Sequence, residues 1–165
     1  MKKTLIERTE LTSAASSITF SSIPADFTDL LVVTSLRSDR VAATENLVFR
    51  LNGDATNQNT RLLRGDGSSA SSFTNTSPII GILPTANSTS NTFDSSSIYI
   101  PNYAGSAAKS FSADTVSENN ATTAYQHIVA GLYNDTDAVT SITLTTSNAS
   151  NFEQYSSATL FGISS

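Results

Sequence analysis

The chain has 165 residues, a net charge of −5, one histidine and no cysteine. That length suits one core. The acidic balance argues against a nucleic-acid partner, and the missing thiols exclude disulfides and thiolate metal sites. Charged residues make up only 14% of the sequence, whereas 28 Ser and 23 Thr supply much of the polarity. With 38% hydrophobic residues, eight Phe and five Tyr, the composition is that of a folded chain rather than a disordered one.

The N-terminal "MKKTLIERTELTS" has two lysines but then meets Glu7, Arg8 and Glu10 with no apolar stretch. A cytosolic product without general export is expected. No apolar run approaches membrane-spanning length, so no membrane association is expected. Along the chain, apolar residues recur with a period of two. "TLIERTEL" (4–11) sets Leu5 and Glu7 on one face and Ile6 and Arg8 on the other. "SITFSSI" (17–23) alternates in the same way. "TDLLVVTSLRS" (28–38) reads as a strand buried on both faces. "NLVFRLNGD" (46–54) ends at Asn52-Gly53, the strongest hairpin signal in the chain, with "TRLLRGDG" as its return strand.

Residues 68–97 read as loops around a weak strand at 70–75 and the apolar "PIIGIL" (78–83). Periodicity returns in "SSIYIP" (96–101), "AKSFSADTVS" (108–117), "AYQHIVAGLY" (124–133), "AVTSITLTT" (138–146) and "SATLFGIS" (157–164). The Ser and Glu of "SENNATTAYQHI" resemble a helix cap, but Thr122 and Thr123 are poor helix formers. About ten short strands predict an all-β fold, an antiparallel, jelly-roll-like β-sandwich. One domain over 1–165 is expected, with 1–11 as a docking segment or first strand.

Catalytic chemistry finds little footing. His127 sits in an apolar strand, where packing beside Tyr125 and Val129 explains it, and no serine stands in a Gly-x-Ser-x-Gly elbow. No enzyme and no cofactor are expected. Two loops offer oxygen ligands: Asn134, Asp135 and Asp137 in one, and Asp54, Asn57 and Asn59 in the other. Neither has the spacing of a calcium loop, and both suit turns. Asn-x-Ser/Thr triplets at Asn75, Asn87, Asn120, Asn134 and Asn148 are expected by chance in this composition.

Arg64-Gly65-Asp66 spells an integrin-type tripeptide, yet a strand end followed by a Gly-x-Gly turn accounts for Gly65 and Asp66 without a receptor. Residues 1–65 carry eight basic groups and the remainder only Lys109. Arg37, Arg40, Arg61 and Arg64, with Arg50, are therefore candidates for an arginine face that docks on an acidic partner.

The segment "IYIPNYAGS…KSFSAD" (98–114) resembles small virion proteins of tailed bacteriophages, especially those of marine bacteria. The ending "ITLTTSNASNFEQYSSATLFGI" (142–163) is similar to the close of phage tail and fibre modules, with Phe161 at the aromatic place. The resemblance implies a β-sandwich on the outside of a virion, made in the host bacterial cytoplasm and released by lysis. A short lead without coiled coil or collagen-like shaft suits a capsid decoration or cement protein bound to the major capsid protein. Capsid symmetry favours a homo-oligomer such as a trimer. The alternative is a tail-fibre or tail-tip module that grips host glycans, for which Tyr99, Asn102 and Tyr103, with Tyr125, Tyr133 and Tyr155, supply the residue types.

Overall fold

A computed structural model describes residues 2–119 and 124–164. Twelve strands follow in chain order: β1 (Lys2–Glu10), β2 (Ser17–Phe20), β3 (Asp29–Ser35), β4 (Glu45–Leu51), β5 (Gln58–Gly65) and β6 (Ala70–Asn75), then β7 (Ile79–Leu83), β8 (Ser95–Pro101), β9 (Lys109–Ser117), β10 (Tyr125–Tyr133), β11 (Ile142–Thr146) and β12 (Ser157–Ser164). They form an eight-stranded sheet, β1-β12-β3-β8-β9-β10-β5-β6, and a four-stranded sheet, β2-β11-β4-β7. Neighbouring strands run antiparallel throughout, so the chain is an all-β sandwich. In the window 117–128, Ser117 and residues 125–128 are strand. Residues 120–123, with the Asn120 triplet, lie outside the described residues.

Alternation builds both sheets. In β9, Lys109, Phe111, Ala113, Thr115 and Ser117 point inward, while Ser110, Ser112 and Asp114 are exposed. In β2, Ile18 and Phe20 are buried between exposed neighbours. The core lies between the sheets. Phe49 of β4 meets Phe111 of β9 with ring centroids 5.3 Å apart and planes tilted 57°. Such a tilted pair adds to the apolar area removed from water.

Two expectations about strand faces are corrected. The aliphatic run of β3 is buried on one face only: Leu30, Val32 and Thr34 face the core, whereas Val33 is 39% exposed. The small sheet covers only the inner face of the large one, so the other side of β3 has no layer above it. In β1, the register jumps from Leu5 opposite Phe161 to Glu7 opposite Leu160. This bulge at Ile6 takes Glu7 off Leu5's face. The segment expected as docking lead or first strand is the edge strand of the large sheet.

The Asn52-Gly53 turn forms, with φ of 51° and 69°, but it does not close a hairpin. It is a corner between sheets, because β4 pairs with β11 and β7 while β5 pairs with β10 and β6. Side-chain bonds fix the corner. Asn52 Nδ2 donates to Ala138 O at 2.9 Å, and Asn52 Oδ1 accepts from the Thr140 backbone at 2.8 Å. Across it, buried Gln58 accepts from Leu51 N at 2.9 Å and donates to Asp54 O at 3.1 Å. The real hairpin is β5–β6, closed by Asp66 N donating to Ser69 O at 3.2 Å, with Gly67 at φ 85°.

Candidate functional site

The four arginines do not share a face. Arg37 is only 4% exposed. Its Nη1 donates to Thr89 O (2.9 Å) and Thr92 O (3.0 Å), its Nη2 to Thr85 O (2.6 Å), and its Nε lies 3.0 Å from Glu153 Oε2. Arg37 ties loop 84–94 to the end of β3 and is not presented to a partner. Arg40 donates to Thr44 O at 2.8 Å and approaches Glu45 Oε2 at 3.6 Å. Buried Glu45 has burial raising its pKa, but hydrogen bonds from Asn148, Ser147, Ser150 and the Asn46 backbone outweigh it and hold the carboxyl below its ordinary value.

Arg61 and Arg64, three residues apart on β5, point to opposite sides of the large sheet, as odd spacing on a strand requires. Arg61 sits beside Ala130 and Thr74 on the outer face; Arg64 sits beside His127 and Ser71 on the inner one. Of the Arg-Gly-Asp stretch, Arg64 and Gly65 are the last residues of β5, paired with Ser71 and Ala70. The strand rather than the turn therefore accounts for Gly65, and only Asp66 belongs to the turn. Asp66 Oδ1 accepts from the backbone of Ser69 (2.8 Å) and Ser68 (3.0 Å), which depresses its pKa.

The candidate glycan residues form an internal lock. Tyr99 donates to Asp29 Oδ2 at 2.6 Å, and the Asn102 backbone donates to Asp29 Oδ1 at 2.9 Å. The Asp29 contact, then burial, raises the Tyr99 pKa. Tyr103 is fully buried with its hydroxyl on Pro24 O, so it cannot be a sugar platform. Tyr133 is buried as well, whereas Tyr155 is 65% exposed at a left-handed φ of 70°.

Both oxygen-rich loops are held as turns. Asp54 accepts from Thr56 N (2.6 Å) and Asn57 N (3.0 Å), which takes its pKa down to about 2. Asp135 accepts from Asp137 N at 2.9 Å, and buried Lys109 donates to the Asp135 and Asp137 carbonyls. No group of three or more His, Asp or Glu among the described residues is placed to hold a metal ion.

Two further surface features bear on function. On the outer face of the large sheet, Leu63 (52% exposed) stands opposite Ile128 (60% exposed), rimmed by Arg61, Ser72, Thr74 and Ala130. The other is a cleft of about 140 Å³ between β7 and the β10-β5-β6 end of the large sheet. Arg64, His127, Phe73, Asn46 and Asn75 line it. The Arg64 guanidinium lies 4.7 Å from the Phe73 ring centre and 4.9 Å from that of Tyr125. His127 is 2% exposed, its Nδ1 has no hydrogen-bond partner among the described residues, and burial together with Arg64 pushes its pKa down to about 4. The Tyr125 ring lies 6.0 Å away, on the same side of the strand. Sequence spacing missed this cluster, because only the cross-strand register joins Arg64 to His127.

Comparison with family models, with curated proteins and with solved structures returns no match for this chain.

Proposed function

We propose that the protein is a non-enzymatic virion structural protein of a tailed bacteriophage, a capsid decoration or cement subunit bound outside the head shell. The supporting observation is the uncovered outer face of the large sheet. Its register carries Leu5, Phe161, Leu31 and Tyr99 in one row, and Val33, Ser97, Asp114, Ile128 and Leu63 in the next. A broad face of aliphatic and hydroxyl groups with few charges suits contact with a large protein surface rather than chemistry on a small substrate. The residues that carry the phage resemblance, 98–114 and 142–163, include the second half of β8, much of β9, all of β11 and most of β12.

On this reading the major capsid protein is the partner, the protein resides on the virion surface after synthesis in the host cytoplasm, and cyclic trimers follow the capsid axes. Binding only to the assembled lattice stabilises the shell by mass action. The interface then belongs to Leu63 and Ile128 rather than to the arginines. A Leu63→Asp/Ile128→Asp double variant should keep its sheet spectrum and lose about tenfold or more of its occupancy on purified particles. Undiminished occupancy, or immunogold label on the tail instead of the head, rejects the assignment.

A further inference from the structure

We infer that the cleft between the sheets at Arg64 and His127 binds the carboxylate of a sugar acid. This inference does not rest on the decoration reading, since the cleft lies on the inner side of β5 and the proposed shell contact on its outer side.

Arg64 is a preorganised cation. Rings from the two strands that flank β5 hold its guanidinium, and it makes no salt bridge with a described carboxylate. A planar guanidinium in such a setting presents paired N–H groups to a carboxylate. His127 lines the same cleft, and its buried Nδ1 has no hydrogen-bond partner among the described residues. Buried polar atoms are rarely left in that state.

Charge and lining narrow the class. His127 is held neutral, so the cleft offers one positive charge and matches a monoanion. A phosphate dianion leaves a half-enclosed charge uncompensated. Asn46 and Asn75 have amide oxygens outside any hydrogen bond to a described residue, and each has its NH2 on only one hydroxyl, of Ser147 and Thr60 respectively. These groups, beside the half-exposed Phe73 ring, suit a hydroxylated ring. The 140 Å³ volume is far larger than one water requires.

The experiment titrates the full chain with D-glucuronate and, separately, with D-glucose, following the imidazole resonances of the single histidine. Glucuronate should shift them at millimolar concentration and glucose should not. Arg64→Gln should weaken glucuronate binding roughly tenfold or more. Arg61→Gln, on the opposite face, should leave it unchanged. No shift with glucuronate up to roughly 20 mM, an equal response to glucose, or unchanged affinity in a folded Arg64→Gln protein overturns the inference. The two-sugar comparison stands whether or not that variant folds.

Discussion

The Arg37 guanidinium meets the Glu153 carboxylate at 3.0 Å while its other nitrogens reach carbonyls of Thr85, Ser88, Thr89 and Thr92. One cation thereby replaces the regular secondary structure that the loop before β8 lacks. Removing it strands several carbonyls and a carboxylate. Arg37→Met should cost about 3–5 kcal/mol of unfolding free energy. Glu153→Gln, at a partly exposed carboxylate that keeps an acceptor, should cost about 1 kcal/mol or less. Urea unfolding measures both, and limited proteolysis should cut the Arg37 variant first within 85–92. Equal costs for the two variants would show that the loop carbonyls contribute nothing.

The buried acid Asp94 and the buried base His127 titrate in the same pH window with opposite effects. Burial pushes Asp94 up to about 6, against hydrogen bonds from Ser96, Leu36 and Thr34. His127 is pushed down to about 4 by burial and then by Arg64. Between pH 4 and 6 the fold keeps a proton on Asp94 that the unfolded chain releases, so this contribution to stability falls as pH rises. Between pH 6.5 and 4 the unfolded chain protonates a histidine that the fold keeps neutral, so that contribution falls as pH drops. Each amounts to about 2–3 kcal/mol over its window. Asp94→Asn should therefore lose stability relative to the native chain as pH goes from 6.5 to 4, and His127→Gln should gain. Parallel stability curves for all three proteins would refute the opposition.

Glu45 titrates lower. Its depressed pKa makes a contribution that is present above the ordinary carboxylate value of 4.5 and lost as pH falls below it. Glu45→Gln places an NH2 among groups that already donate, Ser147 Oγ, Asn148 Nδ2 and Ser150 Oγ. A loss of about 2–3 kcal/mol at pH 7 is expected, shrinking toward pH 3. A loss that stays constant with pH would mean that the network does not depend on the charge.

The strands were legible because each sheet buries one face, which writes a two-residue period into β2, β8, β9 and β10. What the period cannot carry is pairing. Asn52-Gly53 announces positive φ at two residues, but the corner it makes depends on Ala138 and Thr140, far along the chain. Arg37 reads as surface for the same reason, since its acceptors lie 48 to 55 residues away, in a loop with no pattern of its own. Arg61 and Arg64 could have been separated from sequence alone: with an odd spacing on one strand, they were never candidates for one face. The cleft required the β5–β10 register, which no local signal specifies.

That register also sets a steric relation within the core. Gly131 stands opposite Phe111 across β10 and β9, and a Cβ at position 131 would run into the Phe111 ring. The ring is held from the other side by Phe49, in the opposite sheet. Gly131→Ala therefore forces Phe111 away from its place between the sheets, at about 1–3 kcal/mol. Phe111→Ala alone should cost about 3–5 kcal/mol through the cavity it leaves. In the double variant the added methyl enters vacated space, so the two costs should fall short of their sum by about 1 kcal/mol or more. Additive losses in urea unfolding would mean that the backbone, rather than the ring, absorbs the new Cβ, and that the glycine serves the strand rather than the packing.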